Sequence, residues 1–164
     1  MNGPPRAGRP PPAMTTIRQD DFIQSVADAF QFISCYHPVD YIRALHEAWQ
    51  REESPAAKDA MAQILINSRM AAEGHRPICQ DTGICMAFVR VGMDVRWDAK
   101  LSLAEMVNEG VRRAYLDPHN KLRASVLADP DGKRKSTGDN TPAGTHVELV
   151  PGDEVEVIVA AKGG

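Results

Sequence analysis

Arg76-Pro-Ile-Cys-Gln-Asp-Thr-Gly83 sets a thiol, an amide, a carboxylate, a hydroxyl and a backbone hinge within eight residues. Upstream of it, apolar residues recur with helical period. Downstream, the pattern becomes that of strands, with one further helix. The stretch therefore marks the junction at which a helical first half gives way to a sheet. That junction predicts an α+β domain: N-terminal helices packed with a mixed or antiparallel sheet. A loop at such a junction is held by regular elements on both sides, so a scaffold can keep reactive groups still there.

Reading back towards the N-terminus, three helices are expected. Phe22, Val26, Phe30 and Ile33 form an apolar stripe, with Ile23 and Ala27 alongside, broken off by Cys35-Tyr-His-Pro38. Pro38 suits the first turn of a second helix striped by Val39, Ile42, Leu45 and Trp49. A third starts with Ser54 as N-cap and Pro55 behind it, and sets Met61, Ile64, Leu65 and Ser68 on one face. It is expected to end near Glu73-Gly74, with the glycine at its usual C-terminal position. All three read as packing elements.

Reading forward, Cys85 to Gly92 is a strand, half-buried at least through Phe88 and Val89, and Val95 and Trp97 extend it across a turn. Ser102 and Glu105 form a capping box ahead of a fourth helix carrying Met106, Val107, Ala114 and Tyr115. Asp117-Pro118 stops it. A long polar stretch from His119 to Gly144 follows, of the kind that is functional or mobile within a compact domain. The chain closes with an expected C-terminal β-hairpin: Thr145–Val150, a turn at Pro151-Gly152-Asp153, then Glu154–Ala161.

The totals exclude several classes. A net charge of −3 over 164 residues argues against a nucleic-acid partner or an anionic membrane surface. No apolar run approaches the roughly 18 residues that span a bilayer. Three cysteines form no closed disulfide framework, and a reducing, cytoplasmic setting follows. Met1 to Ala13, rich in Pro, Gly and Arg, reads as a disordered extension without the apolar segment of a secretory signal. Residues 14–164 read as one domain. Because Gly163-Gly164 follows a strand directly, the domain reads as cut short at its C-terminal end.

Three readings compete for Cys79: a nucleophile with His75 as base, one ligand of a metal or iron–sulfur site, or a structural thiol. Cys79 and Cys85 are spaced unlike the common paired-ligand motifs, so no complete metal site stands in the sequence. Asp81 and Gln80 offer a carboxylate and an amide at the same place, although Asp-Thr-Gly is also ordinary turn chemistry. Arg123 and Arg76 could clamp a dicarboxylate, or simply be solvated. Ser136-Thr-Gly-Asp-Asn-Thr-Pro142 is dense in hydroxyls and amides, and Asp139 and Asn140 there read as turn or cap residues more readily than as binding ones. The five histidines form no zinc-hydrolase pair.

Four motifs in order carry a resemblance: Arg76-Pro-Ile-Cys-Gln-Asp-Thr-Gly83, Lys121-Leu-Arg-Ala-Ser-Val-Leu-Ala-Asp-Pro130, Thr137-Gly-Asp-Asn-Thr-Pro142 and Ala160-Ala-Lys-Gly-Gly164. The series is similar to the amino-terminal (alpha) region of class I, iron–sulfur-dependent fumarate hydratase and of the related tartrate dehydratase. It extends from about Ile17 to Gly164. The resemblance implies that Cys79 is the first of three cysteine ligands of a 4Fe–4S cluster. It makes Asp81 the carboxylate beside the substrate hydroxyl, Gln80 a substrate contact, and Arg123 the grip on a substrate carboxylate. Lys162-Gly-Gly164 begins a Lys-Gly-Gly-Gly-Ser element near the substrate.

The implied reaction is reversible hydration of fumarate to (S)-malate, a small dicarboxylate, by a homodimer in the complete enzyme. The other two cluster cysteines are expected downstream, and neither Cys35 nor Cys85 matches a ligand position. An opposing acid/base group and further arginines would come from a C-terminal domain or beta subunit. The isolated chain is thus expected neither to hold an intact cluster nor to turn over substrate. Two alternatives stand beside this reading: the alpha subunit of a tartrate dehydratase, and a catalytically inactive truncated folding module.

Overall fold

The computed structural model describes residues 15–80 and 83–163. The expected extension Met1–Ala13 lies outside them, as do Asp81, Thr82 and Gly164. The elements run β1 (Thr16–Arg18), α1 (Gln19–Cys35), α2 (Val39–Arg51), α3 (Pro55–Gly74), β2 (Ile84–Gly92), β3 (Arg96–Asp98), α4 (Leu103–Tyr115), β4 (Gly144–Val150) and β5 (Val155–Lys162). The architecture is α+β, as the sequence predicts. No helix among the described residues is long and apolar enough to cross a membrane.

The core lies between one face of the β2 sheet and the helices α1 and α4. The α1 stripe is buried at Phe22, Ile23, Val26, Ala27 and Phe30, and α4 buries Met106, Val107, Val111, Ala114 and Tyr115. Beneath them lie the inward residues of β2: Cys85, Ala87, Val89 and Val91. Helices α1 and α4 approach closely because Gly110 has no side chain; a Cβ there would collide with Val26 and the Ile23 carbonyl. The capping box forms as expected, with the Ser102 hydroxyl accepting from the Glu105 amide and the Glu105 carboxylate accepting from the Ser102 amide.

The sheet is mixed, and its order corrects the expected hairpin. Strands β4 and β5 do not pair with each other but flank β2, β4 in parallel and β5 antiparallel. A central strand has two edges of backbone donors and acceptors to satisfy, and this order satisfies both edges of β2. The turn that should have closed the hairpin instead steps over the end of β2. Gly92 N–H donates to Glu154 O, Met93 N–H to Val150 O and Asp94 N–H to Gly152 O. Gly92 is required at this crossing, since a Cβ would strike the Gly152 backbone. Trp97 belongs not to β2 but to β3, which pairs with β1 in a separate parallel two-stranded sheet.

Helices α2 and α3 form where expected but contribute little to the core. Helix α2 buries no residue and α3 only Ser68 and Ala71, so these helices chiefly pack against each other. The α3 terminus also differs from expectation. Gly74 remains helical, and the left-handed residue is His75, at φ 47°. The ring of His75 meets Tyr36, with Nδ1 at 3.2 Å from the tyrosine hydroxyl.

Candidate functional site

The Cys79 loop is anchored at both ends. On its N-terminal side, Ile78 N–H donates to Ser34 O at the end of α1, and Asn67 of α3 donates to Ile78 O at 2.9 Å. On the other side, Gly83 leads into β2 with φ 66°, a left-handed conformation that favours glycine. A Cβ at Gly83 would collide with the Lys162 backbone. That close approach sets the end of β5 beside the loop, in register with the pairing of Ile84 with Lys162. Cys79 and Gln80 are exposed between these anchors, and Asp81 lies outside the described residues.

Asn140 joins this loop to the polar stretch after α4. It is fully buried and left-handed, at φ 63°. Its Nδ2 donates to Gly83 O at 2.8 Å and faces Cys85 Sγ at 3.4 Å. Its Oδ1 accepts from Ser125 N–H at 2.6 Å and Val126 N–H at 3.1 Å. Leu122 is buried in the core, so the exposed Arg123 is held between a core anchor and the Asn140 clamp. The stretch folds back on itself as well: Thr137 N–H donates to Val126 O and Ala128 N–H to Lys135 O. An isolated antiparallel bridge joins Leu127 and Ser136. What reads in sequence as a polar loop is an ordered excursion.

Helix α4 fastens the excursion from beneath. Asn108 Oδ1 accepts from Ala143 N–H at 2.8 Å, and Arg112 pairs with Asp139 at 3.0 Å. Burial works to raise the Asp139 carboxyl pKa, yet the Thr141 amide and hydroxyl together with Arg112 hold it below its ordinary value. The four sequence motifs thereby meet. The first joins the third through Asn140 and Gly83, the third joins the second through Asn140 and Ser125–Val126, and the fourth lies against Gly83.

Other candidates fall away from this junction. Arg76, weighed as a second clamp, lies along Gly74 and lines a shallow hollow with Asn67, Met70 and Glu73 of α3. His75, weighed as a base, is engaged with Tyr36. Cys85 is buried; desolvation pushes its thiol pKa up, with Tyr115 and Asn140 opposing through hydrogen bonds. Such a thiol is inert towards metals and electrophiles at neutral pH. Cys35 is also buried, with Asn120 Nδ2 at 3.3 Å from its sulfur. Cys79 alone is exposed. No three acidic, cysteine or histidine side chains gather into a metal-binding group among the described residues. They fit one ligand of an iron–sulfur cluster but do not form a cluster site.

Asn140, Asn108 and Tyr115 are the residues whose roles the sequence did not separate from ordinary turn and helix positions. The one available signal was the density of amides and hydroxyls over residues 136–142.

A mixed sheet thus lies under two helices, with three of the motifs joined at one buried amide and the fourth against Gly83. The chain belongs to the fumarate hydratase (fumerase) family, whose sequence model matches residues 23–164. It is 33% identical over 142 residues to the putative L(+)-tartrate dehydratase subunit alpha of Methanocaldococcus jannaschii, covering 84% of this chain and 49% of that protein. It is 31% identical over 154 residues to the anaerobic class I fumarate hydratase of Escherichia coli, covering 94% of this chain and 26% of that protein. Fumarate hydratase 2 of Leishmania major is 34% identical over 124 residues, 72% of this chain and 21% of that protein. The chain thus spans about half or less of the length of the relatives it matches.

Proposed function

We propose that this chain is the N-terminal part of a 4Fe–4S hydro-lyase that interconverts fumarate and (S)-malate. The observation that carries the reading is the meeting of the four family motifs around Asn140 and Gly83, with an exposed Cys79 on the adjoining loop. Cys79 serves as one of three cluster ligands, completed by thiolates from outside these 164 residues. A bound cluster would supply Lewis acidity towards a carboxylate and hydroxyl.

The chain's own residues bind and orient. Arg123 grips a substrate carboxylate through a charge-assisted, geometrically matched pair of hydrogen bonds. The Gln80 amide contacts the substrate. Asp81 stands beside the substrate hydroxyl and holds or moves its proton. The opposing acid/base group comes from a C-terminal domain or beta subunit, and the complete enzyme is a homodimer. The tartrate dehydratase alpha subunit is a second reading, supported by the 33% identity over 142 residues to the Methanocaldococcus jannaschii protein of that description.

Anaerobic iron–sulfur reconstitution of the complete assembly, followed by kinetics on fumarate, malate and tartrate, tests both. The expected result is a cluster signal abolished by Cys79→Ser and turnover of fumarate over tartrate. Preference for tartrate selects the second reading, and a full cluster signal in Cys79→Ser overturns the ligand assignment. Stoichiometric cluster and activity in residues 1–164 alone would refute the need for outside groups.

A further inference from the structure

We infer that Asn140 is a positioning residue: it holds Gly83, where the Cys79 loop enters β2, and the Ser125–Val126 backbone beside Arg123 in fixed relation through one buried amide. The inference rests on the hydro-lyase reading of those two segments. The Gly83 carbonyl and the Ser125–Val126 backbone both bond to this one side chain.

The chemistry requires an amide. Oδ1 uses both acceptor positions, on the Ser125 and Val126 amides, while Nδ2 donates to Gly83 O and faces Cys85 Sγ. Asp would keep the acceptors but lack the donor. Ser or Thr could not span both sides, and Gln adds a methylene where the site has no room, Asn140 being 0% exposed. Asn also tolerates the left-handed backbone that Asn140 adopts.

The placement gives the amide its leverage. Gly83 follows Asp81 by two residues and Ser125 follows Arg123 by two. Each end of the clamp therefore holds backbone two residues along the chain from a group assigned to the substrate. The fold itself has other supports, since β2 is paired on both edges and the α1–α4 core lies beneath. Loss of the amide should therefore disturb geometry before it abolishes folding.

Two variants separate the arms of the clamp. Asn140→Gly suits the left-handed backbone and removes the whole amide. Asn140→Asp keeps the acceptor and removes the donor to Gly83. Each is compared with wild type by amide hydrogen exchange and, in the complete assembly, by steady-state kinetics on fumarate and tartrate. In Asn140→Gly, the Ser125 and Val126 amides should exchange faster while the β2–β5 ladder stays protected, and kcat should fall on the order of 100-fold. In Asn140→Asp, those two amides should stay protected and kcat should still fall, with KM little changed because the Arg123 segment remains held. If the buried carboxylate prevents folding, Asn140→Gly carries the comparison alone.

Folded Asn140→Gly with wild-type kcat and KM, or with unchanged exchange at Ser125 and Val126, overturns the inference. If wild type turns over neither dicarboxylate, the hydro-lyase reading fails instead. The exchange comparison then decides by itself whether Asn140 joins the two segments.

Discussion

Two regions of this molecule invert the usual relation between regularity and organisation. Helices α2 and α3 are regular and end cleanly, yet α2 buries nothing and Val39, Ile66 and Met70 stand exposed on the pair. The stretch from Leu116 to Ala143 has no helix or strand of its own, yet it contains the fully buried Asn140 and is fastened to α4, β2 and itself. Order in the helical pair comes from local backbone bonds. Order in the irregular stretch comes from side chains that satisfy distant backbone groups, and any one of them is hard to replace.

The largest expected effect is at Gly83. Gly83→Ala combines a left-handed φ with a collision against the Lys162 backbone, and should destabilise by about 3 kcal/mol or more in denaturant unfolding. Retention of wild-type stability would mean that β5 and the loop are not in contact as described. By contrast, Leu45→Ala in α2 should cost about 1 kcal/mol or less, since its site is only half-buried. A loss there equal to that at Gly83 would erase the distinction between the two regions.

Next in size is the acid response of the Arg112–Asp139 pair. The folded-state pKa of Asp139 is depressed, so its contribution is present above the ordinary aspartate value of about 3.9 and is lost as pH falls through the lower folded value. Asp139→Asn should therefore lower stability at neutral pH by about 1 kcal/mol and flatten its fall with acid. An unchanged acid profile would show that the pair contributes nothing. Thiol titration sharpens the same contrast from the cysteine side. In the native chain one thiol, Cys79, should react promptly with a disulfide reagent, while Cys35 and Cys85 should wait for unfolding.

The smallest effect should be at the end of α3. His75→Gly relieves a left-handed side-chain residue but loses the Tyr36 contact, so stability should change by less than about 1 kcal/mol in either direction.

The parts legible in sequence were those encoded over short separations. The α1 stripe, the capping box of α4 and the β2 alternation each announce themselves within a few residues, and the motif carrying Cys79 stands out by composition alone. The order of the sheet was not legible, because the pairing of β2 with β4 and β5 joins residues 58 to 78 positions apart, and the local turn at Pro151-Gly152-Asp153 is equally suited to a hairpin. Asn140 was legible as a residue but not as a clamp. Thr-Gly-Asp-Asn-Thr-Pro reads the same whether its asparagine faces water or a buried carbonyl. At His75, the neighbouring glycine offered the expected helix stop, but the left-handed position lies one residue on, where the ring meets Tyr36.

Residue-resolved native-state hydrogen exchange on the whole chain tests most directly whether the irregular stretch is the organised one. The Ser125 and Val126 amides, though outside any helix or strand, should exchange nearly as slowly as the amides of β2, and more slowly than those of α2. Rapid exchange at Ser125 and Val126 beside a protected α2 would contradict the account.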